Sequence, residues 1–182
     1  MIRTLFSLIV VCLITLTAGG ADLTTSRSLA WVKRYSGPST PVNGIGAAMK
    51  TVVDAHGDVI VTGVFRNVDG ENDLYTAKYA ATTGALLWEQ LYNGPGHGAD
   101  AVSALALDAS GNVIVAGSSS SLPEGSGDYA LYTAKYSAAD GTLLWEKRAT
   151  SKCVATAAAV DSDGNVIVTG KVDTSYWASN NI

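Results

Sequence analysis

The sequence is poor in the residues that most specific chemistries require. Among 182 residues there are two cysteines and two histidines, too few for a disulfide framework or a thiolate metal cluster. Only 15% of residues are charged, well under the roughly 25% usual for soluble domains. Twelve Lys plus Arg face sixteen Asp plus Glu, and no basic run occurs. Nucleic acid and anionic membrane surfaces are therefore not expected as partners, since both demand clustered cations. What the chain has in plenty is glycine, 19 residues, with eight tyrosines and four tryptophans. That is a composition of tight turns and bulky packing residues, not of disorder.

The one long apolar run lies at 5–18, behind Arg3 and ahead of Gly19, Gly20 and Ala21. A positive start, an apolar middle and a small-residue exit predict a signal peptide over residues 1–21, cleaved after Gly20 or Ala21, and a secreted or periplasmic location. The run falls short of the roughly 20 residues a helix needs to span a bilayer, so no membrane span is expected in the mature chain. Cys12 leaves with the leader. Cys153 stays behind with no second cysteine in residues 22–182 and is expected to be a small buried apolar residue.

Residues 22–182 repeat one pattern. TVVDAHGDVIVTG at 51–63, LALDASGNVIVAG at 105–117 and AAVDSDGNVIVTG at 158–170 place Asp54, Asp108 and Asp161 at intervals of 54 and 53 residues. LYTAKYAATTGALLWE at 74–89 returns 57 residues later as LYTAKYSAADGTLLWE at 131–146. A period of this size marks stacked supersecondary units. Each unit reads as four strands: a segment of small apolar residues, the V-I-V run, the L-Y-T-A-K-Y run and the L-L-W run. Alanine-rich stretches such as 154–160 favour helix by propensity, but the other copies hold Met49, Thr51, Val52 and Val53 there, so strand is the consistent reading.

The turns are legible too. In D-x-x-G the Asp (Asp54, Asp108, Asp161) can bond the turn backbone, and the Gly (Gly57, Gly111, Gly164) allows positive φ. Gly84 and Gly141 do the same between third and fourth strands. Four-stranded antiparallel units, each with a signature tryptophan (Trp88, Trp145), predict an all-β fold: a partial β-propeller of about two and a half blades.

These residues resemble the bacterial SBBP-type β-propeller repeat, roughly D-x-x-G-N-V-(I/Y)-V-T-G, a K-Y strand, then G-x-L-L-W. The matching residues are Asp108, Gly111, Asn112, Val113, Val115, Gly117, Lys135, Tyr136, Gly141 and Trp145, with Asp54 to Trp88 as the earlier copy, and the likeness covers residues 29–170. Thr83, Gly84 and Trp88 are also similar to the tryptophan-docking motif of quinoprotein-like propellers, although Ala80 and Ser137 stand where that motif has Asp. There the Trp docks blade to blade, so the resemblance implies architecture and no cofactor.

The segment at 28–38 aligns with 85–95, so the region is expected to open on a fourth strand at 28–37, followed by blade one at 46–93, blade two at 100–148 and a partial blade three at 153–182. Propellers close with about four to eight blades, more than this length holds. A truncated product is the favoured expectation, with homo-oligomeric ring completion as the other.

Alternating turns put the joins from fourth to first and from second to third strands on one face, and the D-x-x-G and x-x-G turns on the other. Only the first face varies in length: Trp to Asp spacing is 23, 20 and 16 residues, and Gly63 to Tyr75 is 12 against 15 for Gly117 to Tyr132. Loops of uneven length on one face mark the candidate binding face, with Asn67, Asp69, Asn93, His97 and Glu124 as its candidate residues. His56 and His97 fall on opposite faces and cannot share a metal. Gly94, Gly96 and Gly98 precede a strand, so they form no dinucleotide fingerprint. Asp161, Asp163 and Asn165 offer too few oxygens for calcium and read as turn stabilisers. Tyr75, Tyr79, Tyr132 and Tyr136 read as buried packing, with sugar stacking as the minority alternative.

No catalytic, metal or cofactor residue is assigned. The leading expectation is an exported, non-catalytic interaction scaffold for an unknown protein or carbohydrate. The alternatives are a carbohydrate-binding module assembled from several chains, and a fragment of a quinoprotein-like propeller enzyme.

Overall fold

The structure, a computed structural model, describes residues 31–33, 47–67, 69–120 and 129–172. The leader at 1–21, Glu124 and the stretch after Val172 lie outside the described residues; of the opening strand at 28–37 only residues 31–33 are described, with no strand pairing.

The described residues are all-β. Nine strands follow one another: β1 (Ala47–Val53), β2 (Val59–Arg66), β3 (Asn72–Tyr79), β4 (Leu86–Tyr92), β5 (Asp100–Leu107), β6 (Val113–Ser120), β7 (Tyr129–Tyr136), β8 (Leu143–Val160) and β9 (Val166–Val172). β1 to β4 form one antiparallel sheet in chain order, and β5 to β9 a second. The expected turns close these strands. Asp54 Oδ1 accepts the amides of His56 and Asp58 at 2.8 and 3.0 Å. Asp108 and Asp161 repeat that arrangement. The last glycine of each V-I-V run faces a bulge in the first strand: a Cβ on Gly63 would lie 1.9 Å from Ala47 O, and one on Gly117 1.9 Å from Ala101 O.

The expected gap between blade two at 148 and blade three at 153 is absent. β8 runs unbroken for 18 residues, its first part paired with β7 and its last with β9. The physical reason is the 16-residue spacing from Trp145 to Asp161, which leaves no residues for a loop once both strands have their length.

The sheets pack on one another through a shared core. Ile60, Leu74 and Trp88 of the first meet Val102, Val113, Val115, Tyr132, Ala134 and Tyr136 of the second. Small side chains permit close approach: Ala104 of β5 and Ala116 of β6 meet Ala155 of β8, with Ala158 and Val168 against them. β5 packs on β1, β2 and β3 in turn.

One contact recurs at each junction. The Trp88 indole lies over Gly141 of the following unit, where a Cβ would come within 2.7 Å of the ring, and its Nε1 donates to Ala138 O at 3.4 Å. Trp31 does the same over Gly84, its Nε1 donating to Ala81 O at 2.9 Å, with Tyr79 beside it at a centroid distance of 6.3 Å. Gly84 and Gly141 have φ of 62° and 73°, so glycine is needed there for conformation as well as space.

A lysine completes each unit. Lys78 pairs with Asp54 at 2.8 Å and Asp58 at 3.4 Å, and also donates to Ala138 O of the next unit at 3.2 Å. Lys135 pairs with Asp108 at 2.7 Å. Burial pushes the Asp108 carboxyl up, but the Lys135 ammonium and the Asn112 amide more than offset it and hold the pKa at about 2.

Candidate functional site

The two ends of the sheets differ in chemistry. At one end lie the D-x-x-G and x-x-G turns, tied together by Asp58 Oδ1 accepting Ala81 N and Asn112 Oδ1 accepting Ala138 N. His56 sits there, exposed. At the other end the joins after β2 and β4 come together, and the carboxyls of Glu71, Asp73 and Asp100 are buried there.

The join after β2 is organised by Asn67. Its Oδ1 accepts the amides of Asp69 and Glu71, each at 3.0 Å, and its Nδ2 donates to Asp73 Oδ1 at 2.9 Å. The Arg66 guanidinium donates to Gly70 O across the same turn. Asp73 is buried at the start of β3, and Glu71 is 8% exposed with Oε2 enclosed and unpartnered.

The join after β4 turns at residues 94–97, closed by His97 N donating to Gly94 O at 2.9 Å, and His97 takes φ of 51°. Gly94 N donates to Asp100 Oδ2 at 3.0 Å. Asp100 opens β5 and is 2% exposed. A Cβ on Gly94 would strike Ser119 Oγ at 2.2 Å, which packs this loop directly onto β6.

Beside Asp100 lies a cationic and aromatic group. Arg148 of β8 donates to Tyr92 OH at 2.9 Å and to Ser119 O at 3.1 Å, and the Tyr92 ring stacks on Tyr132 with centroids 3.9 Å apart. Tyr92 belongs to the first sheet and Arg148 to the second, so this contact also clasps the sheets.

The carboxyls feel one another. Burial raises the Asp73 pKa to about 6; the Asn67 amide pulls it down, Asp100 pushes it up, His97 pulls it down and Asp69 pushes it up. Asp100 is also raised by burial, against the pull of Ser119, Gly94 N–H, Arg148 and Ser120. The result is a small acidic region that holds protons more readily than free carboxylates do.

Of the candidates, Asn67, Asp69 and His97 are brought to this region, and Asn93 lies exposed on its edge at the end of β4. Sequence reasoning missed Asp73, Asp100, Tyr92 and Arg148. For two of them a signal was available, a difference between the two full units. Asp73 stands where the next unit has Ala130, and Arg148 where the previous one has Leu91.

Among the described residues, no three His, Cys, Asp or Glu side chains are placed to hold a metal ion. Asp161, offered as a calcium ligand and as a turn stabiliser, bonds its own turn through Asp163 N and Asn165 N at 3.0 and 2.8 Å. The four repeat tyrosines are buried: Tyr75 OH meets Tyr79 OH at 2.9 Å, and Tyr132 donates to Glu146 at 3.0 Å. Their rings offer no sugar a stacking face. Cys153 is half-buried, opposite Val172 in the ladder, so it is less enclosed than expected. No family model and no curated protein matches the chain. Among the described residues no helix is long and apolar enough to cross a membrane.

Proposed function

We propose that the chain is an exported, non-catalytic β-propeller repeat segment of SBBP type that serves as an interaction scaffold through its loop end. The observation that carries the reading is the division of labour among its side chains. Residues that recur from unit to unit are consumed by packing: Trp on the next turn glycine, Lys on the D-x-x-G aspartate, Tyr against Tyr and Glu. Residues that break the repeat gather at one end, where Asn67, Asp69, Asp73, His97 and Asp100 supply polar and acidic groups. The blade interpretation draws support from four-stranded antiparallel units stacked face to face, with small residues where first strands meet and a tryptophan passed from each unit to the next. Loops on rigid sheets are the usual place for recognition.

A photo-crosslinking amino acid placed at His97 and, separately, at His56 in cells exporting the protein tests this reading. Adducts are expected from position 97 and not from position 56. Equal adducts from both ends, or turnover in hydrolase or quinone-dependent dehydrogenase assays of the purified chain, would overturn it.

A further inference from the structure

Two carboxyls, one from each sheet, are buried near one another at the loop end. Asp73 stands at the start of β3 and Asp100 opens β5, and these strands pack together although they belong to different sheets. Both side chains are buried. A buried carboxylate needs a paired cation or a full set of donors to remain charged. Among the described residues neither carboxyl lies within ion-pair distance of a cation, and Asp100 Oδ1 is enclosed with no hydrogen-bond partner.

The groups that face Asp73 set the direction of its response. Asp69 and Glu71 share its turn, β2 places Phe65 opposite it, and the Arg66 guanidinium is turned onto Gly70 O. Across the junction Asp100 repels it and the His97 imidazole attracts it. Arg148 of β8 attracts Asp100 while it donates to Tyr92 OH and Ser119 O.

The same two carboxyls hold the loops. Asn67, which donates to Asp73, also accepts the amides of Asp69 and Glu71, so Asp73 is tied to the whole join after β2. Asp100 Oδ2 accepts Gly94 N at 3.0 Å and so holds the join after β4. Repulsion between the carboxyls is therefore repulsion between the two joins.

We infer that this junction is a pH-operated latch: with a proton on Asp73 the two joins stay closed on one another, and when that proton leaves to solvent the like charges of Asp73 and Asp100 drive them apart. Burial raises the Asp73 pKa from 3.8 to about 6, so the closing contribution is complete below about pH 4 and is lost as pH rises through about 6. The latch does not depend on what the loop end binds.

Hydrogen exchange of the full-length protein, read by mass spectrometry at about pH 4.5 and about pH 7.5 and corrected for the intrinsic exchange rate, tests it. Segments 66–73 and 93–100 are expected to lose protection by about tenfold at the higher pH, after allowance for solvent screening, while the turns at 54–58 and 108–112 keep theirs. Asp73→Asn keeps an acceptor for Asn67 and is expected to hold both segments protected at either pH. Asp100→Asn, which removes the repelling partner and keeps an acceptor for Gly94 N, is expected to shrink the loss, and His97→Gln to leave it in place. Equal protection at the two pH values, or an equal loss at the turns of the opposite end, would overturn the inference. So would a loss that persists undiminished in either aspartate variant. A loss abolished by His97→Gln would assign the switch to the imidazole and overturn it as well.

Discussion

Trp88 and Trp145 stand at the same place in successive repeats, within the same L-L-W-E sequence, yet their surroundings differ. Trp88 is buried between a turn glycine and the shared core of the two sheets, with its Nε1 bonded to a backbone carbonyl. Trp145 is half-buried and bonded to nothing among the described residues. The lysines show the same contrast, since Lys78 bridges its own aspartates and the next unit's Ala138 O while Lys135, among the described residues, pairs with Asp108 alone. A repeat residue is thus half of an interaction, and its energetic weight is set by the unit that follows. Stability in such an array resides as much in junctions as in units.

The sharpest way to break this comparison is to truncate both tryptophans. Trp88→Ala should cost about 3–5 kcal/mol, the range for emptying a buried aromatic site. Trp145→Ala should cost about 1 kcal/mol or less, as for a partly exposed side chain. Urea denaturation of the two variants measures both, and equal losses would mean that docking contributes little.

Turn glycines separate strain from contact. Gly141→Ala meets both a positive φ and the Trp88 ring, so a loss of about 2–3 kcal/mol is expected. Gly164→Ala meets a similar φ, 83°, with nothing within 4 Å among the described residues, so only the conformational part, about 1 kcal/mol, should appear. The difference between their denaturation midpoints isolates the indole contact.

For the lysines, Lys78→Met is expected to cost about 1–2 kcal/mol, since it strands two carboxylates and a carbonyl, and Lys135→Met about half of that. Acid titration sharpens this pair further. With the Asp108 pKa depressed to about 2, its contribution is present above the ordinary carboxylate range and disappears as pH falls through that value. Lys135→Met should therefore flatten stability between about pH 4 and 2.

The smallest effect concerns a departure from the repeat. The Asp73 pKa is raised to about 6 from 3.8, so the native state gains from the protonated form. Stability should fall as pH rises from about 4 to 6 and level off above that. Asp73→Asn keeps an acceptor for Asn67, removes that slope and should stabilise by about 1 kcal/mol above pH 6, after allowance for solvent screening. Denaturation of both proteins across pH 4–8 checks the sign.

Much of this molecule was readable in one dimension. Strand order, the D-x-x-G turns and the burial of the repeat tyrosines follow from alternation, from Asp and Gly at set offsets, and from recurrence of the same residues. The continuity of β8 was not read, because the shortening from 20 to 16 residues looked like loop variation and was in fact the loss of the loop. Asp73, Asp100, Tyr92 and Arg148 escaped notice for another reason. Each is an ordinary residue locally, and its significance comes from burial beside groups distant in the chain.

The sequence by itself determined which segments are strands, where they turn and which side chains recur as packing residues, because those depend on short-range sterics and periodicity. Only the tertiary structure decided which tryptophan is docked among the described residues and which carboxyls are driven toward protonation. Those outcomes depend on what lies across a junction from each residue, and identical local sequences carry no record of their neighbours.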